Sequence, residues 1–254
     1  MTRIFDALKK AEATSGPLPP PTPLGATPRP AARPAEIGRT AVPLLGALPM
    51  GEEVVRSMSS LRVSLEAALG ARTSRAVMFL GSQGGEGAST VALQFAQSIA
   101  RDSGARPLLV DCHCRRPAFT LEDGQRCAVL DRKLMTGPAE ASAVIASNLY
   151  VVPVSQQARA AGMLHPNVLR DILDVNSPGF DWVIVDAPPV LDSPDAAALA
   201  AITDGVVLVL QAGRTKRPVM TRAADLLAKS GSRMLGTVLN RRVLEIPEFI
   251  YRRI

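Results

Sequence analysis

Six short apolar runs punctuate the chain after residue 51: AVMFL (76–80), PLLVD (107–111), LYVVPV (149–154), WVIVD (182–186), GVVLVLQ (205–211) and MLGTVLN (234–240). None shows strict alternation of apolar and polar positions, and that is the pattern of strands buried on both faces. Between several of them the spacing becomes helical, in ASTVALQFAQSIARD (88–102), PDAAALAAI (194–202) and RPVMTRAADLLAKSG (217–231). Strands alternating with helices predict a three-layer α/β domain over residues 51–254. Its sheet should be mostly parallel, covered by helices on both faces and joined by right-handed connections. Ligands of such sheets sit at the carboxyl ends of the strands.

Two other textures precede this domain. The stretch MTRIFDALKKAEA (1–13) puts Ile4, Phe5 and Leu8 on one face of a short amphipathic helix, with Lys9 and Lys10 off it. Residues 14–50 hold ten of the chain's 21 prolines. Proline lacks an amide donor and blocks both helix and ladder, so this stretch is expected to be an extended, mobile linker. A helix this short is near the limit of about 12–15 residues for stability alone in water. It is either a docking segment on a tether or a frayed start.

Composition narrows the setting. With 254 residues, 47% hydrophobic and 20% charged, the chain has material for one substantial core plus appendages. No run approaches the roughly 18–20 uncharged apolar residues of a spanning helix, and the first residues lack the apolar core of a leader peptide. A cytoplasmic location is expected, with any membrane contact made through a partner. Three cysteines, two of them in DCHC, are an odd count and imply no disulfide framework. The net charge is +6, but the arginines are scattered, with pairs at 115–116, 241–242 and 252–253, and aromatic residues are 4%. Single-strand binders set stacking rings beside their basic groups, so nucleic acid is not an expected partner.

GSQGGEGAST (81–90) joins a buried strand to a helix. Gly84, Gly85 and Gly87 are expected to allow positive φ angles, so that amides along Glu86, Ala88, Ser89 and Thr90 curl around phosphate oxygens. The helix N-terminus adds its dipole, and Ser89 or Thr90 stands where a hydroxyl would hold Mg²⁺. Against the pattern G-x-x-x-x-G-K-[ST], Gly87 and Ser89 fit, Ser82 replaces the first glycine and Ala88 replaces the lysine. That lysine carries positive charge to the β and γ phosphates, where the transferred group develops its charge. Alanine supplies none. ATP or ADP is therefore expected to bind weakly or not at all, and phosphoryl transfer to be impaired.

Three further segments follow in order: LLVDCHCRRP (108–117), WVIVDAPPVLDSPDAAALA (182–200) and LGTVLNRR (235–242). With the loop, they resemble the bacterial tyrosine autokinases of exopolysaccharide and capsule synthesis, relatives of the partition and septum-site ATPases, over about residues 42–254. The resemblance implies a P-loop NTPase-like fold. It makes Asp111 the first acid of the Walker A-prime motif D-x-D-x-R-R-P, with Arg115, Arg116 and Pro117 as its tail. It makes Asp186 the Walker B carboxylate, followed by Ala187, Pro188 and Pro189, and gives Asn240 to the adenine edge. Asp111 and Asp186 are thus the candidate catalytic acids. With Ser89 they form the candidate Mg²⁺ set, since a hard cation takes oxygen ligands.

The departures from that family bear on one reaction. Ala88 replaces the loop lysine, His113 replaces the second aspartate of D-x-D, and Gln83 stands where partition-type relatives carry a signature lysine. Neutral imidazole is a poor Mg²⁺ ligand, so His113 is expected to be a spectator or a base. The short CHC cluster lacks a second ligand pair for zinc. In the assembly helix EEVVRSMSSLRVSL (52–65) Arg56 and Arg62 remain, with Ser59 between them. The tail IPEFIYRRI holds Tyr251 alone, a possible phospho-acceptor, among Ile246, Phe249, Ile250 and Ile254.

Three readings follow. In the first, the chain is a catalytically degenerate, cytoplasmic regulator or scaffold for an inner-membrane polysaccharide co-polymerase or chain-length regulator, and is able to form homo-oligomers. In the second it is an active autokinase in which Arg116, or a basic residue of a neighbouring subunit, replaces the lysine charge. In the third it is a partition-type positioning ATPase.

Overall fold

The computed structural model describes residues 42–45, 50–101, 104–115, 119–122, 126–129, 149–152 and 160–241. Nine strands are named in chain order: β1 Val42–Leu45, β2 Arg75–Gly81, β3 Pro107–Asp111, β4 Phe119–Glu122, β5 Arg126–Val129, β6 Tyr150–Val152, β7 Trp182–Asp186, β8 Gly205–Gln211 and β9 Met234–Asn240. Five helices are described: α1 Glu52–Leu69, α2 Ala88–Ala100, α3 Pro166–Asn176, α4 Pro194–Ala200 and α5 Arg217–Lys229.

The sheet order is β4-β5-β1-β6-β3-β7-β2-β8-β9. From β6 to β9 every neighbouring pair is parallel. β1 runs antiparallel to β6 and parallel to β5, and β4–β5 is antiparallel. The mostly parallel α/β expectation holds. Five of the six apolar runs become strands within one or two residues of the expected bounds, and LYVVPV contributes Tyr150–Val152, its last two residues lying outside the described ones.

Strand alternation divides the core into two layers. Val77, Phe79, Ile184, Val207 and Val209 turn to one face and pack with Met58, Leu65 and Leu69 of α1 and Val91, Phe95 and Ile99 of α2. Met78, Leu80, Val183, Val185 and Leu208 turn to the other and meet Leu169 and Leu173 of α3, Leu199 of α4 and Leu227 of α5. Phe95 stands edge-on to Trp182 at a centroid distance of 5.4 Å and an interplanar angle of 82°. These contacts clamp α2, and with it the loop that precedes it, onto β2 and β7.

Two elements depart from the sequence reading. Val42–Leu45 falls within the stretch 14–50 expected to be linker, yet it forms β1, with Val42 opposite Val151 and Leu44 opposite Cys127. The apolar quartet VPLL finds partners for its backbone along β6 and β5, which a proline count does not reveal. Residues 1–41, with the expected docking helix and the rest of the linker, lie outside the described residues. The second departure is α3, which was not expected. Its signals are Pro166 in the first turn, His165 capping the Asn167 amide at 3.2 Å, and apolar residues at 169, 172 and 173. Among the described residues no helix is long and apolar enough to cross a membrane.

Candidate functional site

The carboxyl ends of β2, β3, β7, β8 and β9 converge on the loop 81–87. The residues after β7 lace along it: the amides of Ala187, Val190 and Leu191 donate to the carbonyls of Phe79, Gly81 and Ser82 at 3.0, 3.0 and 3.2 Å. Gly85 and Gly87 have φ of 86° and 87°, as expected of a phosphate-binding turn. Gly84 does not share that conformation. Its amide is instead held by the Asp192 carboxylate, Gly84 N–H donating to Asp192 Oδ2 at 2.9 Å. Gly87 is the N-terminal flanking residue of α2, and no side chain caps that helix. An uncapped helix N-terminus behind a glycine turn fits the phosphates of a nucleotide.

The side chain of Glu86 has a place of its own, which the sequence does not indicate. It is buried, 4% exposed, with its carboxylate folded back into the loop. It accepts the Ser82 hydroxyl at 2.6 Å, the Gln83 amide at 2.9 Å and the hydroxyl of Thr215. Three donors offset the cost of burying the charge. The side chain therefore shapes the loop from within, leaving only the Glu86 backbone to face a phosphate. Asn240 also serves the loop: its Nδ2 donates to the Glu86 carbonyl at 2.9 Å, and its Oδ1 accepts the Arg241 amide at 2.8 Å. Both partners are backbone groups, and they set the Asn240 amide beside the loop.

A Cβ added to Gly87 would run into Asn240 Nδ2, at a φ that only glycine adopts freely. Gly87→Ala is expected to cost about 1–3 kcal/mol, read as a fall of several degrees in Tm. Gly84→Ala should be nearly neutral by the same measurement, since the nearest atom to its Cβ is Asp192 Oδ2 at 3.6 Å.

Beside the loop, Asp111 and Asp186 are register partners at the ends of β3 and β7. Asp186 is fully buried, and the Ser89 hydroxyl faces its carboxylate, so that Ser89, Asp111 and Asp186 do come together. His113 closes the group. Its Nδ1 lies 3.1 Å from Asp111 Oδ1 and 3.4 Å from Asp186 Oδ2, and its backbone amide donates to Asp111 Oδ1 at 2.8 Å. Burial opposes charge on the imidazole, but the Asp186 charge and then the hydrogen bond and charge of Asp111 outweigh it, so the His113 pKa rises to about 9. Burial pushes Asp186 the same way, to about 7, against the pull of His113. Burial and the nearby carboxylates also raise both Cys112 and Cys114, which keeps these thiols protonated and poor as nucleophiles or metal ligands.

A cleft of about 500 Å³ opens next to this group, lined among others by His113, Arg115, Met163, Asp192 and Asp195. The sequence reading did not single out Asp192, Thr215 or Arg214 as site residues. Asp192 meets Gly84 across 108 residues and Thr215 meets Glu86 across 129, and no local pattern encodes such pairings. Arg214 lies over the loop, its Nη1 3.5 Å from where a Gly85 Cβ would stand. Ala88 begins α2, followed by Ser89 and Thr90, with Ala88 packed against the core beneath the loop. Arg116, Pro117 and Tyr251 lie outside the described residues.

No family model matches the chain. Among curated proteins it is 31% identical over 195 residues to the tyrosine-protein kinase YwqD of Bacillus subtilis, covering 73% of this chain and 80% of that one. It is 24% identical over 188 residues to the succinoglycan biosynthesis transport protein ExoP of Rhizobium meliloti, covering 71% of this chain and 24% of that protein. The solved structure of the chimerical protein CapA2B2 superposes with a TM-score of 0.56 at 21% identity, over 80% of this chain and 96% of that one. That last likeness shows a shared fold.

Proposed function

This chain belongs to the family of bacterial tyrosine-protein kinases, and from that premise we propose that it is a catalytically degenerate member serving exopolysaccharide or capsule biosynthesis. It acts as a cytoplasmic regulator or scaffold of an inner-membrane polysaccharide co-polymerase, and reaches the membrane through that partner. Segment 1–13 is the docking element, the proline-rich stretch up to residue 41 is its tether, and the domain from 51 onward is the nucleotide-binding body, able to form homo-oligomers. The name of the Rhizobium relative, a succinoglycan biosynthesis transport protein, supports the polysaccharide setting.

One observation carries the reading. His113 stands between Asp111 and Asp186, within 3.1 and 3.4 Å of their oxygens, beside a loop whose lysine position is Ala88. Phosphoryl transfer is almost entirely positioning plus charge stabilisation, and both charge positions are altered together. The donors do not fit the all-oxygen, largely hydrated shell that Mg²⁺ demands. The amides of Gly85, Glu86, Gly87, Ala88, Ser89 and Thr90 would still hold a diphosphate, whose bound form orders the loop as a structural ligand or slow switch. Calorimetry with ATP and ADP, followed by phosphotyrosine detection, tests this. Weak binding without phosphate on Tyr251 is expected, and phosphotyrosine formed with ATP alone would overturn it.

A second reading, an active autokinase, is favoured by the position of Arg214. Its guanidinium lies over Gly85 and is placed to supply in cis the charge that Ala88 lacks. On that reading Arg214→Gln lowers ATP affinity about tenfold, the worth of one charged hydrogen bond, while Arg214→Lys keeps most of it. Under the leading reading Arg214→Gln changes affinity less than about twofold, which a fluorescent nucleotide titration resolves.

A further inference from the structure

The two aspartates and the histidine meet a stricter description than a damaged magnesium site. We propose that Asp111, His113 and Asp186 form a nitrogen–oxygen site for a borderline divalent cation of the Zn²⁺ or Co²⁺ class, with His113 Nδ1 as a ligand. The inference rests on the reading of this end of the sheet as the ligand site, and changes which ion that site selects.

Three observations support it. First, the donor atoms of these residues all lie within 4.8 Å of one another, on chain ends fixed by the β3–β7 register. Second, the spacings suit coordination. Two ligands at roughly 2.0–2.1 Å from one ion, at angles between octahedral and tetrahedral, stand roughly 2.9–3.4 Å apart. The Nδ1 distances of 3.1 Å to Asp111 and 3.4 Å to Asp186 fall in that interval. A hydrogen bond accounts for one of them, because Nδ1 carries a single proton, and the other is then an approach of charge alone, which an ion between the three groups would turn into a bond. Third, Asp186 is fully buried, and the groups that face its carboxylate are the His113 ring at 3.4 Å and the Ser89 hydroxyl, an acid, an imidazole and a hydroxyl around one point. A single imidazolium shared by two buried carboxylates leaves net negative charge there, which a divalent ion would neutralise.

The chemistry of the set then selects the ion. Imidazole favours Zn²⁺ and Co²⁺, whereas Mg²⁺ takes oxygen and keeps its waters. The His113 amide on Asp111 Oδ1 orients that carboxylate before any ion arrives, as outer-shell hydrogen bonds do in metal sites. The two cysteines that flank His113 are buried and stand outside this set of donors.

The test uses the full-length chain, stripped with chelator and titrated with Co²⁺, Zn²⁺ or Mg²⁺ without nucleotide. Absolute affinity decides little, since most protein sites favour Co²⁺ and Zn²⁺ over Mg²⁺. The readout is the ratio of Co²⁺ to Mg²⁺ affinity, together with the visible absorption of bound Co²⁺. One Co²⁺ per chain with a spectrum of mixed nitrogen and oxygen donors is expected. The affinity ratio should fall at least tenfold in His113→Asp and in His113→Gln, with circular dichroism confirming that both remain folded. His165→Ala, which alters the exposed second histidine, should change nothing. Co²⁺ binding unchanged in both His113 variants would overturn the proposal, as would a thiolate-to-cobalt band. Nucleotide titrations run alongside separate the two readings: metal bound without nucleotide leaves this inference standing and removes the proposed nucleotide site, and the converse removes this inference alone.

Discussion

Ala88→Lys is expected to raise affinity for ATP by about 10- to 100-fold. The altered residue is the first of α2, directly after the αL glycine of the loop, and on the proposed function a long side chain there would reach the phosphates. A hydrogen bond to a charged group contributes about 1.5–3 kcal/mol, which is the stated range. Ala88 is partly buried against the core, so the lysine stem extends over apolar surface and carries its ammonium outward. Calorimetry with ATP and ADP on both proteins measures the gain. Because His113 still stands between Asp111 and Asp186, the restored lysine should improve binding without restoring phosphate transfer to tyrosine. A gain below about twofold would mean that the loop does not face a nucleotide, and would remove the functional proposal with it.

In metal-free buffer the fold is expected to lose stability steadily between pH 6.5 and pH 9. His113 rises from 6.5 to about 9 on folding. Its protonated form is the one the fold holds, so its contribution is complete below pH 6.5 and gone above about 9. Asp186 rises from 3.8 to about 7 because burial opposes its charge. The folded state therefore keeps that proton while the unfolded state has released it, and stability again falls as pH rises through this lower window. Both windows slope the same way. The histidine part is on the order of 1–3 kcal/mol, or about 5 °C in Tm for a domain of this size. Thermal scans at pH 5, 7 and 9 should show the decline, and His113→Gln should flatten only the upper part. A Tm that stays level or rises from pH 6.5 to 9 in the unaltered chain would contradict the geometry of the cluster.

What was legible in the sequence was periodic or contiguous. WVIVD and GVVLVLQ, apolar runs without alternation, announced central strands, because a strand covered on both faces has no side to leave polar. The glycine turn was legible because φ near +86° excludes most other residues, and Asp111 and Asp186 because each closes an apolar run. β1 was not, since four apolar residues after a proline-rich stretch become a strand only where β6 offers an edge. Nor was α3, a short helix that among its described residues buries only Leu169 and Leu173, too few apolar positions to mark a face in the sequence.

The chain by itself therefore determined the layered α/β architecture, the glycine turn between β2 and α2 and the absence of a lysine from it. These depend on residue type and spacing alone, which local sterics and solvent exposure enforce. Only the tertiary structure decided what the loop's own side chains do. Glu86 turns inward because Ser82, Gln83 and Thr215 surround it with donors, and Asn240 reaches the loop because β9 ends beside β8. It also decided the meaning of His113. In sequence His113 is a replaced aspartate; in space it is the nitrogen between two carboxylates from different strands, brought within 3.1 and 3.4 Å by the parallel pairing of β3 and β7. Distances across a sheet follow from register, and register is settled by the packing of the whole core rather than by any one stretch of residues.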